Sequence, residues 1–323
     1  MKDRDSFRGT SIDKTFADLF KESCFYKDIY NKHKNEIIIG VRDSYISLYL
    51  NSDSIAKIET LNPNVCEINS YYITGKKNQK NIKLSGEELV NYYEIIKTNS
   101  YNQKKNEKQA QQRLFIDNNN NLSSDWFCID VEYTKSLKGK ENPEDWRFDI
   151  IAISKLQPFR VALIELKYGS AAIGGSSGIR THVKDFYSFY KNKKFDLLKP
   201  EIVSIIEKLS LLGIDVPISF NSISCENFYP EPEFYFITLN NNSESPSGNT
   251  PKQTMGGYLF HDKTIWGTKK VSSKIKEEGD YFELIEHCKT FKPVFLFSKA
   301  TLPNLQICDI LDKKYYDVEI IDL

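Results

Sequence analysis

The stretch RVALIELKYG, residues 160–169, decides how this chain is read. Val161, Ala162, Leu163, Ile164, Leu166 and Tyr168 suit a buried strand, and Gly169 suits its end. Glu165 and Lys167 interrupt that run, and an ionised group buried without a partner is costly. Side chains alternate along a strand, so Val161, Leu163, Glu165 and Lys167 share a face. In the preceding segment, RFDIIAIS at 147–154, Arg147, Asp149, Ile151 and Ile153 share a face in the same way. The connection KLQPF is short enough for an antiparallel hairpin. Folded symmetrically about Gln157, the hairpin pairs residues whose numbers total 314. That register sets Asp149 opposite Glu165, with Cβ atoms roughly 5 Å apart. A slip of one residue breaks the match.

Two carboxylates opposed in this way repel, so either one stays protonated or a cation lies between them. Mg²⁺ takes oxygen ligands of this kind and keeps several waters. Lys167 then lies beside the ion on the same face. A third strand, WFCIDVEY at 126–133, carries Cys128, Asp130 and Glu132 on its polar face. Glu132 lies at the end nearest Asp149 if the two strands run antiparallel. It either joins the carboxylates or forms a salt bridge with Arg147. Asp130 reads as a surface carboxylate. The bland alternative for Glu165 and Lys167 is a solvent-facing pair on an edge strand.

Outward from the hairpin, Ile179, Val183, Phe186, Tyr187 and Tyr190 give one apolar face to a helix over about 178–191. A second helix is expected at 200–212, with Pro200 near its start and Gly213 past its end. EFYFITL at 233–239 is a strand, part of 272–289 is helical, and KPVFLFS is a late strand. Upstream, residues 11–34 have helical spacing at Phe16, Leu19, Phe20, Cys24 and Tyr30. From 36 onward the period changes to two, which predicts an antiparallel meander, with CEINSYYITG adding a strand. Ser85 and Glu88 form a capping box for a helix. Residues 101–115 read as another helix, and DNNNN at 117–121 as a turn or linker.

A carboxylate followed at a distance by Glu-x-Lys at the end of a strand resembles the PD-(D/E)xK nuclease superfamily. FDII supplies Asp149 and IELK supplies Glu165 and Lys167; residue 148 is Phe, where the family name has Pro. The resemblance covers about residues 101–240. It implies an α/β (α+β) fold with a restriction-endonuclease-like αβββαβ core, placed behind an N-terminal helix and antiparallel β-rich module. The expected domains are 1–100, with no assignable role, and 101–323, nuclease-like. The implied activity is metal-dependent hydrolysis of nucleic-acid phosphodiesters, DNA more than RNA, in settings such as restriction or phage defence. The implied ligands for Mg²⁺ or Mn²⁺ are Asp149, Glu165 and the carbonyl of Leu166, with Lys167 and Glu132 as further catalytic groups. Gly169 to Gly178 is rich in small residues, suited to close approach of a phosphate backbone. It leads into a helix start that favours anions, where Arg180 is expected on phosphate and His182 as an accessory group.

The chain of 323 residues has 44 basic and 44 acidic residues, for a net charge of zero. Nucleic-acid contact is therefore expected from local patches. Only seven of the basic residues are Arg. Lys clusters at 76–83, 104–108 and 269–276 read as solvated faces, one of which could line a backbone groove. Six scattered cysteines lack zinc spacing and read as reduced thiols. The N-terminus lacks an apolar signal core, and no apolar run approaches the ~20 residues needed to span a bilayer. A cytoplasmic protein is expected, with no membrane contact and a possible homodimer for cutting both strands. Two other readings remain: a non-catalytic nucleic-acid- or protein-binding module on the same fold, and a phosphohydrolase acting on a small nucleotide.

Overall fold

The structure is a computed structural model and describes residues 8–51, 53–77, 80–135, 146–169, 178–218, 223–240, 279–298 and 318–321. The Lys cluster at 269–276, His261, Cys308, residues 241–250 and most of the small-residue segment after Gly169 lie outside the described residues. The chain is a mixed α/β protein with two β-sheets. Its internal contacts divide it into two compact units: Met1–Val131, Ser154–Phe159 and Leu198–Phe228; and Glu132–Ile153, Arg160–Leu197 and Tyr229–Leu323.

In the first unit, helix α1 (Lys14–Glu22) starts where the Asp13 side chain accepts from the backbone N–H of Phe16 at 2.8 Å. It buries Phe16, Ala17 and Phe20, while Leu19, expected on that face, is 44% exposed. A π-helical turn, Phe25–Tyr30, follows in place of a continuous α-helix and buries Phe25 and Ile29. Strands β1 (Ile37–Val41), β2 (Tyr45–Leu50), β3 (Asp53–Glu59) and β4 (Val65–Asn69) form the expected antiparallel meander. A short helix α2 (Tyr71–Thr74) leads to β5 (Asn81–Ser85), which pairs antiparallel with β4 and closes the sheet order β1-β2-β3-β4-β5. Helix α3 (Gly86–Tyr101) begins with the capping box read from sequence: Ser85 Oγ accepts from Glu88 N, and Glu88 Oε2 accepts from Ser85 N.

Helix α4 (Asn106–Asn120) corrects the reading of DNNNN as a linker. Asn119 donates to the carbonyl of Cys128 and accepts from its N–H, both at 2.8 Å. Asn118, fully buried, donates to the carbonyl of Trp126 at 3.0 Å. These amides act as extra strand partners for the segment that follows, so polarity here marks a buried backbone dock.

Strands β6 (Trp126–Lys135), β7 (Trp146–Ser154) and β8 (Val161–Tyr168) come next, then helices α5 (Ile179–Lys191) and α6 (Phe195–Leu211). Strand β9 (Glu233–Leu239), helix α7 (Gly279–Phe291), β10 (Val294–Ser298) and β11 (Val318–Ile321) complete the described chain. The sheet order is β11-β10-β9-β8-β7-β6. β7 and β8 are antiparallel; β8, β9 and β10 run parallel; β11 returns antiparallel to β10. Lys155 N donates to Asp125 O at 2.8 Å, tying the end of β7 to the start of β6. Thus β8 is an interior strand, which accounts for its nearly continuous apolar run.

Helix α5 packs on this sheet through aromatic rings: Phe186 on Phe148, Phe234 and Phe236, and Phe189 on Trp146 and Phe148. Tyr187 stacks on His287 of α7 at 3.6 Å. Helix α6 begins five residues before Pro200, so that proline lies inside it. Gly213, at φ +82°, follows it as expected; a Cβ there would meet Tyr26 Oη at 2.8 Å. Among the described residues no helix is long and apolar enough to cross a membrane.

Candidate active site

The β7–β8 ladder pairs Ile150 with Ile164, Ile151 with Leu163, Ala152 with Ala162 and Ile153 with Val161. These residue numbers total 314, the register read from the symmetric hairpin. Asp149 is the next residue of β7 and Glu165 the next of β8. Past Ile150 the Asp149 carboxylate, half-buried, takes over as acceptor: its Oδ2 receives the backbone N–H of Leu166 at 2.7 Å. A strand-end side chain thus satisfies an N–H of a buried strand.

Glu165 and Lys167 are buried, 3% and 6% exposed, on an interior strand, which rules out the solvent-facing edge pair. Spaced two apart on one face, they meet directly: Lys167 Nζ lies 2.6 Å from Glu165 Oε1. His182 completes the group from the first turn of α5, with Nε2 3.0 Å from the same Oε1. It follows Ile179 by three residues and precedes Phe186 by four. Those two residues face the sheet, so helical spacing carries His182 to the same side. The structure thus brings His182, the histidine expected as an accessory group, to Glu165, a partner that sequence spacing does not mark.

Burial pushes the Glu165 carboxyl up. The hydrogen bond and charge of His182, with the charge and hydrogen bond of Lys167, outweigh that and hold it below the ordinary glutamate value. Both contacts fall on Oε1. The donor set of carboxylates and the Leu166 carbonyl is all oxygen, which suits a hard divalent cation that keeps water. Among the described residues no three His, Cys, Asp or Glu side chains lie together as an ion cage. Such an ion would therefore rest on Asp149, Glu165 and Leu166 with water for the remainder. Glu132 is not gathered with Asp149 and Glu165 into a third ligand.

Glu132 has φ +53°, the left-handed region, inside a strand. That conformation is unfavourable for a residue with a Cβ and breaks the two-residue alternation of β6. The shared polar face expected for Cys128, Asp130 and Glu132 is interrupted there.

Asp130 is corrected outright from surface carboxylate to buried anion. Its side chain is fully buried; Oδ2 meets Arg8 Nη1 at 3.0 Å and Oδ1 meets Arg42 Nη1 at 2.8 Å. Arg42 also donates to Tyr49 Oη and to the Val131 carbonyl, at 2.7 and 2.9 Å. The network ties the N-terminal segment and β1 to β6 within the first unit. Nothing in the local sequence marks Arg8 or Arg42 as its partners, because they lie 122 and 88 residues away.

Arg180 sits in the first turn of α5, and its side chain lies outside the described residues. Gly169, at φ +80°, ends β8, and its N–H donates to the Leu239 carbonyl at 2.8 Å. An open cleft of about 710 Å³ lies at the other ends of the strands, where Arg160, Glu233 and Val294 open or precede β8, β9 and β10. Arg160 and Glu233 are locked there in a two-bonded ion pair, away from Glu165. Set against known protein families, curated proteins and solved structures, the chain matches none.

Proposed function

We propose that this protein is a Mg²⁺- or Mn²⁺-dependent nuclease that hydrolyses phosphodiester bonds of nucleic acid, DNA in preference to RNA. The observation that carries the reading is the buried Glu165–Lys167 pair at the end of an interior strand, with Asp149 reaching the same strand from its neighbour. Burying two charges is costly, and a structural role is served as well by apolar residues of similar volume. The chain order α4, β6, β7, β8, α5, β9, with β9 parallel to β8, supports a restriction-endonuclease-like core.

Asp149, Glu165 and the Leu166 carbonyl would hold the ion. When bound, it lowers the pKa of a coordinated water and stabilises charge on the scissile phosphate. Lys167 orients the attacking water and offsets charge developing on the phosphate. His182 anchors Glu165 and keeps its carboxylate ionised. Arg180 and Glu132 are proposed as phosphate and outer groups.

One observation favours a second reading. Lys167 and His182 already occupy Glu165 Oε1, as they would in a binding module that has no use for metal. Melting temperature with and without Mn²⁺ separates the two. A metal-dependent rise, lost in Asp149→Asn, accompanied by cleavage of plasmid, linear duplex, single-stranded DNA or RNA, supports the nuclease. No shift and no cleavage of any of these substrates moves the assignment to the binding module.

A further inference from the structure

The chain is electrically neutral overall, yet its fold concentrates lysines at one end of the N-terminal sheet. Residues 75–85, from the end of α2 through β5, contain Lys76, Lys77, Lys80 and Lys83 and no acidic residue. All four are exposed, and among the described residues none forms an ion pair. Glu67 faces Lys83 in the β4–β5 ladder but is engaged by Asn81 Nδ2 at 2.7 Å.

A second group, Lys104, Lys105 and Lys108, follows α3 about 25 residues later in the chain. The fold brings the two together. The Asn99 amide of α3 donates to the Tyr72 carbonyl of α2 at 2.9 Å, and Tyr71 Oη donates to the Asn99 carbonyl at 3.2 Å. Gly75 lies so close that a Cβ would sit 3.3 Å from Asn99 Oδ1. Asp53 collects Tyr72 Oη at 2.9 Å and the ammonium groups of Lys105 and Lys108 at 2.5 and 3.7 Å. Asp53 thus engages both Lys105 and Lys108, while Lys104 is exposed and forms no ion pair among the described residues. Tyr101, 52% exposed, closes α3 in the same stretch.

Lysine on an edge strand also serves to block edge-to-edge pairing, and that accounts for Lys83 on β5. It does not account for Lys76, Lys77 and Lys80, which precede the strand, or for the convergence of the second group. Dense ammonium charge on two neighbouring segments, beside an exposed aromatic ring, matches a phosphate backbone with bases available for stacking. An anionic membrane surface would call for apolar side chains to insert. Among the described residues of 75–85 and 101–108 no aliphatic side chain is exposed.

We infer that the α2–β5 segment and the α3–α4 connection form a nucleic-acid backbone-binding surface in the first unit, separate from the Glu165 group in the second. It deepens the nuclease reading by giving the N-terminal unit the task of holding the polymer. The test is binding of the full-length protein to a fluorescent 25-mer, duplex and single-stranded, in EDTA over a salt series. The variant carries Lys76→Gln, Lys77→Gln, Lys80→Gln and Lys83→Gln together.

Each lost phosphate contact removes roughly 0.9 from the slope of log K against log salt. The variant is expected to lose about 2–4 from that slope and at least ~10-fold in affinity near 0.15 M salt, with an unchanged circular dichroism spectrum. An equal slope and affinity in wild type and variant overturns the surface, whatever the cleavage result. So does the absence of binding by wild type at low salt, or a loss confined to binding of phosphatidylserine vesicles. Because no step here needs metal, the surface stands if the salt slope falls in the variant even when no cleavage is found.

Discussion

Replacing Lys167 with Met removes the ammonium and keeps most of the side-chain volume. It leaves Glu165, buried at 3% exposure within the sheet, with His182 as its remaining side-chain partner. Breaking a buried ion pair by deleting one partner costs about 3–5 kcal/mol, because the other charge stays desolvated. His182 offsets part of that, so the lower end, about 3 kcal/mol, applies. For a folding unit of 150–250 residues, each kcal/mol moves the melting temperature by about 2–4 °C. The expected fall is therefore about 6–12 °C at pH 7, read by circular dichroism or calorimetry. The double variant Glu165→Gln, Lys167→Met removes the stranded charge as well, and should recover most of the loss. Both variants should be inactive. A Lys167→Met protein that melts with wild type would refute the reasoning, since it would mean that the pair is solvated and contributes nothing.

Three further outcomes follow from the same geometry. The Glu165 carboxyl titrates below its ordinary value in the folded chain, so its contribution to stability is complete above the unfolded value of about 4.5 and fades as pH falls through the lower folded value. The stability gap between wild type and Glu165→Gln, measured by urea unfolding from pH 7 to 3, should close at the acid end; a constant gap contradicts that assignment. Asp130→Asn leaves the buried guanidinium groups of Arg8 and Arg42 without their anion and should cost about 3–5 kcal/mol, whereas a loss under 1 kcal/mol in chemical denaturation would show the network to be replaceable. Glu132→Gly relieves a left-handed residue and should raise stability by about 1 kcal/mol; a fall in melting temperature would show that contacts of the side chain outweigh the strain.

What the sequence makes legible here is local. Strand alternation and a short connection lead to the β7–β8 register, and that register puts Asp149 and Glu165 at adjoining ladder positions. The capping box at Ser85, the meander and the strand at 233–239 are equally short-range signals. What the sequence hides depends on distant partners. Asp130 looks like a surface carboxylate because its arginines come from the N-terminal segment and β1. DNNNN looks like a linker because its buried partners are strand backbone groups of β6, which have no side-chain signature. The left-handed backbone at Glu132 has no glycine to announce it, so strict alternation extends one residue beyond where the backbone keeps it. The strand β5 escapes detection because its exposed lysines mask a ladder made by main-chain atoms.

The measurement that tests the central claim most directly is Mn²⁺-dependent nicking of supercoiled plasmid by wild type and by Asp149→Asn at equal concentration. The amide keeps an oxygen to accept from Leu166 N, so the end of the strand pair is preserved while the charge that would hold the ion is lost. Nicking by wild type that needs Mn²⁺, stops with EDTA and is abolished in Asp149→Asn at an unchanged melting temperature is the predicted result. Nicking that persists in Asp149→Asn, or that proceeds in EDTA, contradicts the account.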